Sequence, residues 1–158
     1  MLKKILLLVA VLFPTGYTEA QNYAAGQLSI EHPWSMELPP NAPTVAAYFV
    51  IRNRGQEADR LNSVDSPIAG TAQLHENLKH NGLIKMQQIQ TLDIAAGSEV
   101  KFVPMAYHVM LLDLKDRSML TEGQTFPLTL HFEKAGDVTV EVMVRKQAPD
   151  AIDPAHDH

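Results

Sequence analysis

The sequence predicts an all-β fold, a sandwich or barrel of short strands, and three observations carry that reading. Glycines at positions 26, 55, 70, 82, 97, 123 and 136 punctuate short apolar segments, as turn signals do between strands. Two segments near the end alternate strictly. Phe126, Leu128, Leu130 and Phe132 interleave with Pro127, Thr129 and His131, and the valines at 138, 140, 142 and 144 interleave with Thr139, Glu141 and Met143. Period two marks half-buried strands. Finally, no stretch carries a strong amphipathic helical pattern, and no internal repeat is present.

In chain order, the first element is a leader. Lys3 and Lys4 precede an unbroken apolar run from Ile5 to Phe13, Pro14 and Gly16 break it, and Thr18-Glu19-Ala20 offers a small-residue cleavage site. That layout is a secretory signal peptide over residues 1–20. Its nine apolar residues fall short of the roughly 18 that a spanning helix needs, so no stable membrane insertion is expected after cleavage. Residues 21–146 then form a single domain. Its proline-rich stretch from Pro33 to Pro43 is expected as a loop, since prolines are excluded from central strands. Thr44 to Asn53, Asp59 to Val64, Thr71 to Glu76, Ile84 to Gln90, Glu99 to Val103 and His108 to Leu114 are strand candidates. The last hairpin turns at Lys134-Ala135-Gly136-Asp137. Residues 147–158, polar and proline-containing, are expected to be a disordered tail.

Charge and cysteine content exclude whole classes of function. The formal charge of −5 becomes −6 once Lys3, Lys4 and Glu19 leave with the leader. Nucleic acid is therefore a poor partner, because phosphates demand a basic face. With no cysteine there is no thiol for lipid attachment, no thiol redox chemistry and no blue-copper centre.

Four residues stand out as metal donors: His75, Met86, His108 and Met110. His108 and Met110 are two apart on a strand candidate, so both side chains leave one face. Thioether sulfur with neutral imidazole suits copper(I), a soft ion, whereas zinc prefers thiolate, imidazole or carboxylate. Each residue alone is weak, since an isolated methionine in a strand is usually core and a lone histidine usually surface. With seven histidines and seven methionines in the chain, this spacing arises by chance on the order of one time in a thousand.

The spacing of His75, Met86, His108 and Met110 resembles the motif of the PCuAC-type periplasmic copper(I) chaperone family. The resemblance extends to Pro33-Trp34, to PPNAPTVAAYFVIRNRG, to Asp59-Arg60-Leu61 and to Gln73-Leu74-His75-Glu76. It continues through Ala106-Tyr107-His108-Val109-Met110 and FPLTLHFEKAGDVTVEV, so it covers about Ile30 to Val144. Glu76 stands where many relatives carry a methionine at or just after this position. The resemblance implies a cupredoxin-like Greek-key β-sandwich with an exposed copper(I) site at one edge. It also implies a periplasmic metallochaperone that delivers copper to the CuA site of a respiratory oxidase, with a CuA domain or a Sco-type thiol protein as partner.

Three other readings compete with this one. A periplasmic scavenging or storage protein would need the same ligands. A copper-dependent enzyme lacks support, because no nucleophile elbow or other catalytic signature is present and no enzymatic activity is expected. A structural or adhesive sandwich leaves the donor spacing unexplained. His156 and His158, with Asp153 and Asp157, make the tail a candidate secondary site for copper(II), with a solvated end as the equal alternative. His32, His80 and His131 have no partner pattern, and Met36, Met105, Met119 and Met143 read as packing or loop residues.

Overall fold

The computed structural model describes residues 21–149, so the leader and residues 150–158, with His156 and His158, lie outside the described part. Eleven strands make up the described chain: β1 Asn22–Ala25, β2 Leu28–Met36, β3 Val45–Asn53, β4 Asp59–Asp65, β5 Ala69–His80, β6 Leu83–Ile89, β7 Leu92–Ile94, β8 Glu99–Phe102, β9 Tyr107–Leu114, β10 Thr125–Phe132 and β11 Gly136–Arg145. The helical content among the described residues is one 3-10 turn, Ser118–Leu120. The fold is all-β, and each strand expected from the sequence is present. β5 runs on to His80, four residues past the expected end.

One hydrogen-bonded ladder joins the strands in the order β6-β5-β9-β8-β3-β2-β11-β10-β4-β7, with β1 on β2 and a second pairing of β3 with β9. Alternate residues of strands far apart in this ladder share a single core. Val45, Ala47, Phe49 and Ile51 of β3 join Phe126, Leu128, Leu130 and Phe132 of β10, and Val140, Val142 and Val144 of β11. One face of each of these strands is buried and the other is not, so the ladder must fold over to bring its two wings together. The packing of β4, near one end of the ladder, against β5, near the other, shows that it does. At the centre of the core the rings of Phe49 and Phe102 stack with centroids 4.3 Å apart.

The proline-rich segment departs from expectation. Pro33 lies inside a central strand, buried in β2 between β3 and β11. Pairing of β2 with β3 breaks between Glu31 and Trp34, and His32 turns through the left-handed region at φ 51°. At this bulge the ladder demands no N–H from the proline, which is the one way a central strand accommodates it. Pro39 to Pro43 does form a loop, and the Arg117 guanidinium ties it down by donating to the carbonyls of Pro39, Pro40 and Ala42.

The last hairpin turns one residue earlier than expected. Glu133, Lys134 and Ala135 form the turn, and Gly136, at φ 81°, already pairs with Phe132. A three-residue loop followed by a left-handed residue is the geometry that requires glycine there. The buried carboxylate of Asp59 accepts the amide N–H groups of Arg60, Lys134 and Ala135. Burial alone would raise its pKa, but those donors hold it below the usual carboxylate range.

On the outer face of the β4-β10-β11 wing, His131 bridges two carboxylates. One ring nitrogen meets Asp65, and Nδ1 meets Asp137 Oδ1 at 2.7 Å. The bond to Asp65, then that to Asp137, raises the imidazole pKa above its ordinary value. A raised folded pKa gives stability that is full below about pH 6.5 and lost as pH climbs through the folded value. Because the pair partners are exposed, the gain is on the order of 1 kcal/mol. Thermal unfolding of His131→Gln should therefore show a deficit near pH 6 that shrinks by about pH 9. An equal deficit at both would remove the charge from this account.

Candidate metal centre

The candidate donors occupy three adjacent strands, β6, β5 and β9, and their positions follow from two registers. Between β5 and β9, His75 stands directly opposite His108, and Gln73 opposite Met110. Between β5 and β6, Asn77 stands opposite Met86. Cross-strand partners share a face, and so do residues two apart on one strand. His75, Met86, His108 and Met110 therefore all project from the same face, the one opposite the core residues Leu74 and Val109. Met86 and Met110 are the diagonal neighbours of His75 on its two sides. Diagonal pairs lie about 7–8 Å apart at Cα, within reach of long side chains.

Local sequence enforces these registers. Asn81 and Gly82 carry positive φ values of 49° and 78°, so β5 and β6 are joined by a two-residue turn of the mirror-image kind that Asn-Gly favours. Its closing pair is His80 with Leu83, which counts back to Asn77 and Met86. Lengthening that turn by one residue would throw Met86 onto the other face. On the β9 side, the Asn77 N–H donates to the Ala106 carbonyl at 3.1 Å and starts the pairing. Glu76, adjacent to His75, points to the opposite face beside Tyr107, whose pKa it helps to raise after burial has done so first.

The four side chains differ in exposure. His108 is 4% exposed, His75 and Met110 are half-buried, and Met86, on the edge strand, is 49% exposed. The two imidazoles meet edge to face, with ring centroids 5.2 Å apart. His75 Nε2 is 2.9 Å from Gln73 Oε1. An amide oxygen only accepts, so this contact matches the tautomer that carries its proton on Nε2 and keeps a lone pair on Nδ1. That Nδ1 and the Nε2 of His108 are both buried without a hydrogen-bond partner. Buried polar atoms are nearly always satisfied, and an orphaned pair on one face is what a bound water or ion would satisfy. Burial lowers the pKa of His75, and burial followed by the proximity of His75 lowers that of His108 against a hydrogen bond that its ring donates to the Ala106 carbonyl. Both rings are therefore neutral donors.

Among the described residues, no three His, Cys, Asp or Glu side chains are grouped to hold a metal ion. The face offers two imidazoles and two thioethers with no carboxylate, a set that fits a soft monovalent ion better than zinc. The remaining candidates are elsewhere. His32 sits at the β2 bulge, His80 beside the hairpin turn and His131 in its carboxylate bridge. Met119 packs on the core, and Met105 is 62% exposed in the loop before β9. Gln73, which the sequence reading gave no role, contacts His75 on this face. Its signal was parity, since it lies two residues before His75 and so on the same face.

Because both imidazoles prefer the neutral form in the folded protein, acid costs stability as pH falls from about 6.5 through the depressed values. In the metal-free protein, ¹H–¹⁵N imidazole spectra should place both midpoints below the ordinary histidine value of about 6.5. A midpoint for His108 at or above the ordinary histidine value would contradict its burial.

Residues 28–144 match the family model of LpqE-like proteins, whose description is of a lipoprotein. A Leifsonia xyli subsp. xyli protein named as a lipoprotein, Lxx21020, is 33% identical over 101 residues, which span 63% of this chain and 60% of that protein. A solved structure of a copper-bound PCuAC domain from PmoF2 superimposes with a TM-score of 0.68 at 29% identity, covering 82% of this chain and 99% of the domain. The solution structure of CuI-DR1885 from Deinococcus radiodurans shares the fold, with a TM-score of 0.61 at 24% identity, over 82% of this chain and 84% of that one.

Proposed function

The chain belongs to the LpqE-like family, and from that premise we propose that it binds one copper(I) ion through His75, Met86, His108 and Met110 and passes it to another protein. The observation that carries this reading is the pair of buried, partnerless nitrogens, His75 Nδ1 and His108 Nε2, on the face that also presents two thioethers. The copper-bound PmoF2 domain supports the choice of metal, being similar to this chain over nearly its whole length.

A neutral donor set adds no charge to the ion, so the loaded site carries +1. Desolvation of charge is costly, and a monovalent ion costs far less than a divalent one in the same half-buried position. Thioethers need no deprotonation and form no disulfides, which suits an oxidising compartment, although sulfoxide formation would disable them. The apolar run behind Lys3 and Lys4 supports export to the periplasm, and among the described residues no helix is long and apolar enough to cross a membrane. The relative named as a lipoprotein contrasts with this chain, whose 158 residues include no cysteine to acylate.

Exposure grades the site from an anchored end at His108 to an open end at Met86. An acceptor displaces ligands one at a time, and the exposed thioether of an edge strand is the one it reaches first. This favours transfer over storage. An oxidase CuA domain, alone or with a Sco-type thiol protein, is the acceptor we propose. His156 and His158 remain candidates for a secondary copper(II) site.

Anaerobic titration of the mature protein with copper(I) against a chromogenic chelator tests the assignment. One tight equivalent is expected. A Met86→Ala/Met110→Ala variant should lose more than the roughly 10–100-fold that removal of a supporting partner costs. Unchanged affinity in the variant would move the site off this face, and no competition with the chelator would end the copper reading.

A further inference from the structure

We propose that Gln73 is a positioning residue that locks His75 as the Nε2–H tautomer and turns its Nδ1 toward the metal. His75 then ligates through Nδ1 while His108 ligates through Nε2. This deepens the copper(I) reading and rests on it.

Three observations lead there. Gln73 and His75 are two apart on β5, so both side chains stand on the donor face, with Met110 directly across from Gln73. The Gln73 amide oxygen accepts a hydrogen bond from His75 Nε2–H at 2.9 Å, which occupies that nitrogen and leaves Nδ1 with the available lone pair on the ring. Nδ1 is also the buried atom without a partner, and the corresponding atom of His108 is Nε2. A ring held only by its Cβ swings about χ2 and exchanges tautomers, and a ligand that samples two orientations pays for the choice at binding. The Gln73 bond removes that choice beforehand, as an acceptor behind a metal-bound imidazole generally does. Glutamine performs this without a charge, so the face stays neutral.

The test uses the full mature protein and two variants, Gln73→Leu and Gln73→Glu. Leucine keeps bulk in a half-buried position and deletes the acceptor, whereas glutamate keeps an acceptor oxygen. Imidazole ¹⁵N shifts in the metal-free wild type should report a fully protonated Nε2 and an unprotonated Nδ1 for His75. In Gln73→Leu the two shifts should move toward the averaged values of a free neutral imidazole, and in Gln73→Glu they should stay put. Copper(I) affinity should fall about 10–100-fold in the leucine variant and be largely retained in the glutamate variant. Adding copper(I) should move His75 Nδ1 and His108 Nε2 most.

A protonated Nδ1 on His75 in the wild type would overturn the proposal. So would a leucine variant that matches wild type in affinity, or one whose loss glutamate does not restore. Failure of the copper(I) reading itself is visible separately, as wild type that does not compete with the chelator.

Discussion

The register that sets His75 opposite His108 is the constraint on which the donor face depends. Side chains of a strand alternate with a period of two, so one pairing decides the face of every residue on β5, β6 and β9 at once. A slip of one residue would bury His75 and Met86 toward the core and expose Leu74. Such a slip is opposed from both sides of β5. Leu74 and Val109 pack in the core, and the Asn81-Gly82 turn admits only one pairing of β5 with β6. The core and the turn thus fix the face from which the proposed donors project.

Once the donors are on one face, desolvation governs their chemistry. His108 is nearly inaccessible and His75 half-buried, so both resist protonation and keep lone pairs that none of the described residues satisfies. Orphaned acceptors cost free energy in the metal-free state, on the order of 1–3 kcal/mol each. A metal that takes up both lone pairs recovers that cost as binding energy. The absence of a carboxylate from the set matters equally. A carboxylate would strengthen attraction for zinc and other divalent ions, whereas two thioethers reward a soft monovalent one.

The same face bears on how the proposed binding and release would be reconciled. The hairpin of β5 and β6 outruns β9, and β6 is an edge strand exposed along both faces. Met86 rides on that edge while His108 is held in the sheet. Leu83, Ile84 and Met105 are also exposed at this end of the molecule, where the acceptor proposed above would approach. Stiffness at the imidazoles and accessibility at one thioether are assigned to different strands, and neither compromises the other.

Several of these features were legible in the sequence. The alternation of Phe126 to Phe132 and of Val138 to Val144 announced strands, because burial of one face imposes period two on any chain that adopts it. Asn81-Gly82, by contrast, showed itself as a hairpin turn only in the structure, where both residues take positive φ values. The donor types pointed to a soft metal, since that preference resides in the atoms themselves. Other features depended on contacts between residues distant in the chain. Pro33 entered a central strand because β3 shifts register there, which no local rule anticipates. Gln73 acquired a role because His75, two residues on, turned its Nε2 back to it, and His108 became inaccessible only when neighbouring strands closed around it. Local sequence determined which elements form and which atoms are available to a metal. Tertiary structure alone decided which of those atoms face one another, are stripped of water and lack any other partner, because those are properties of pairing across the sheet.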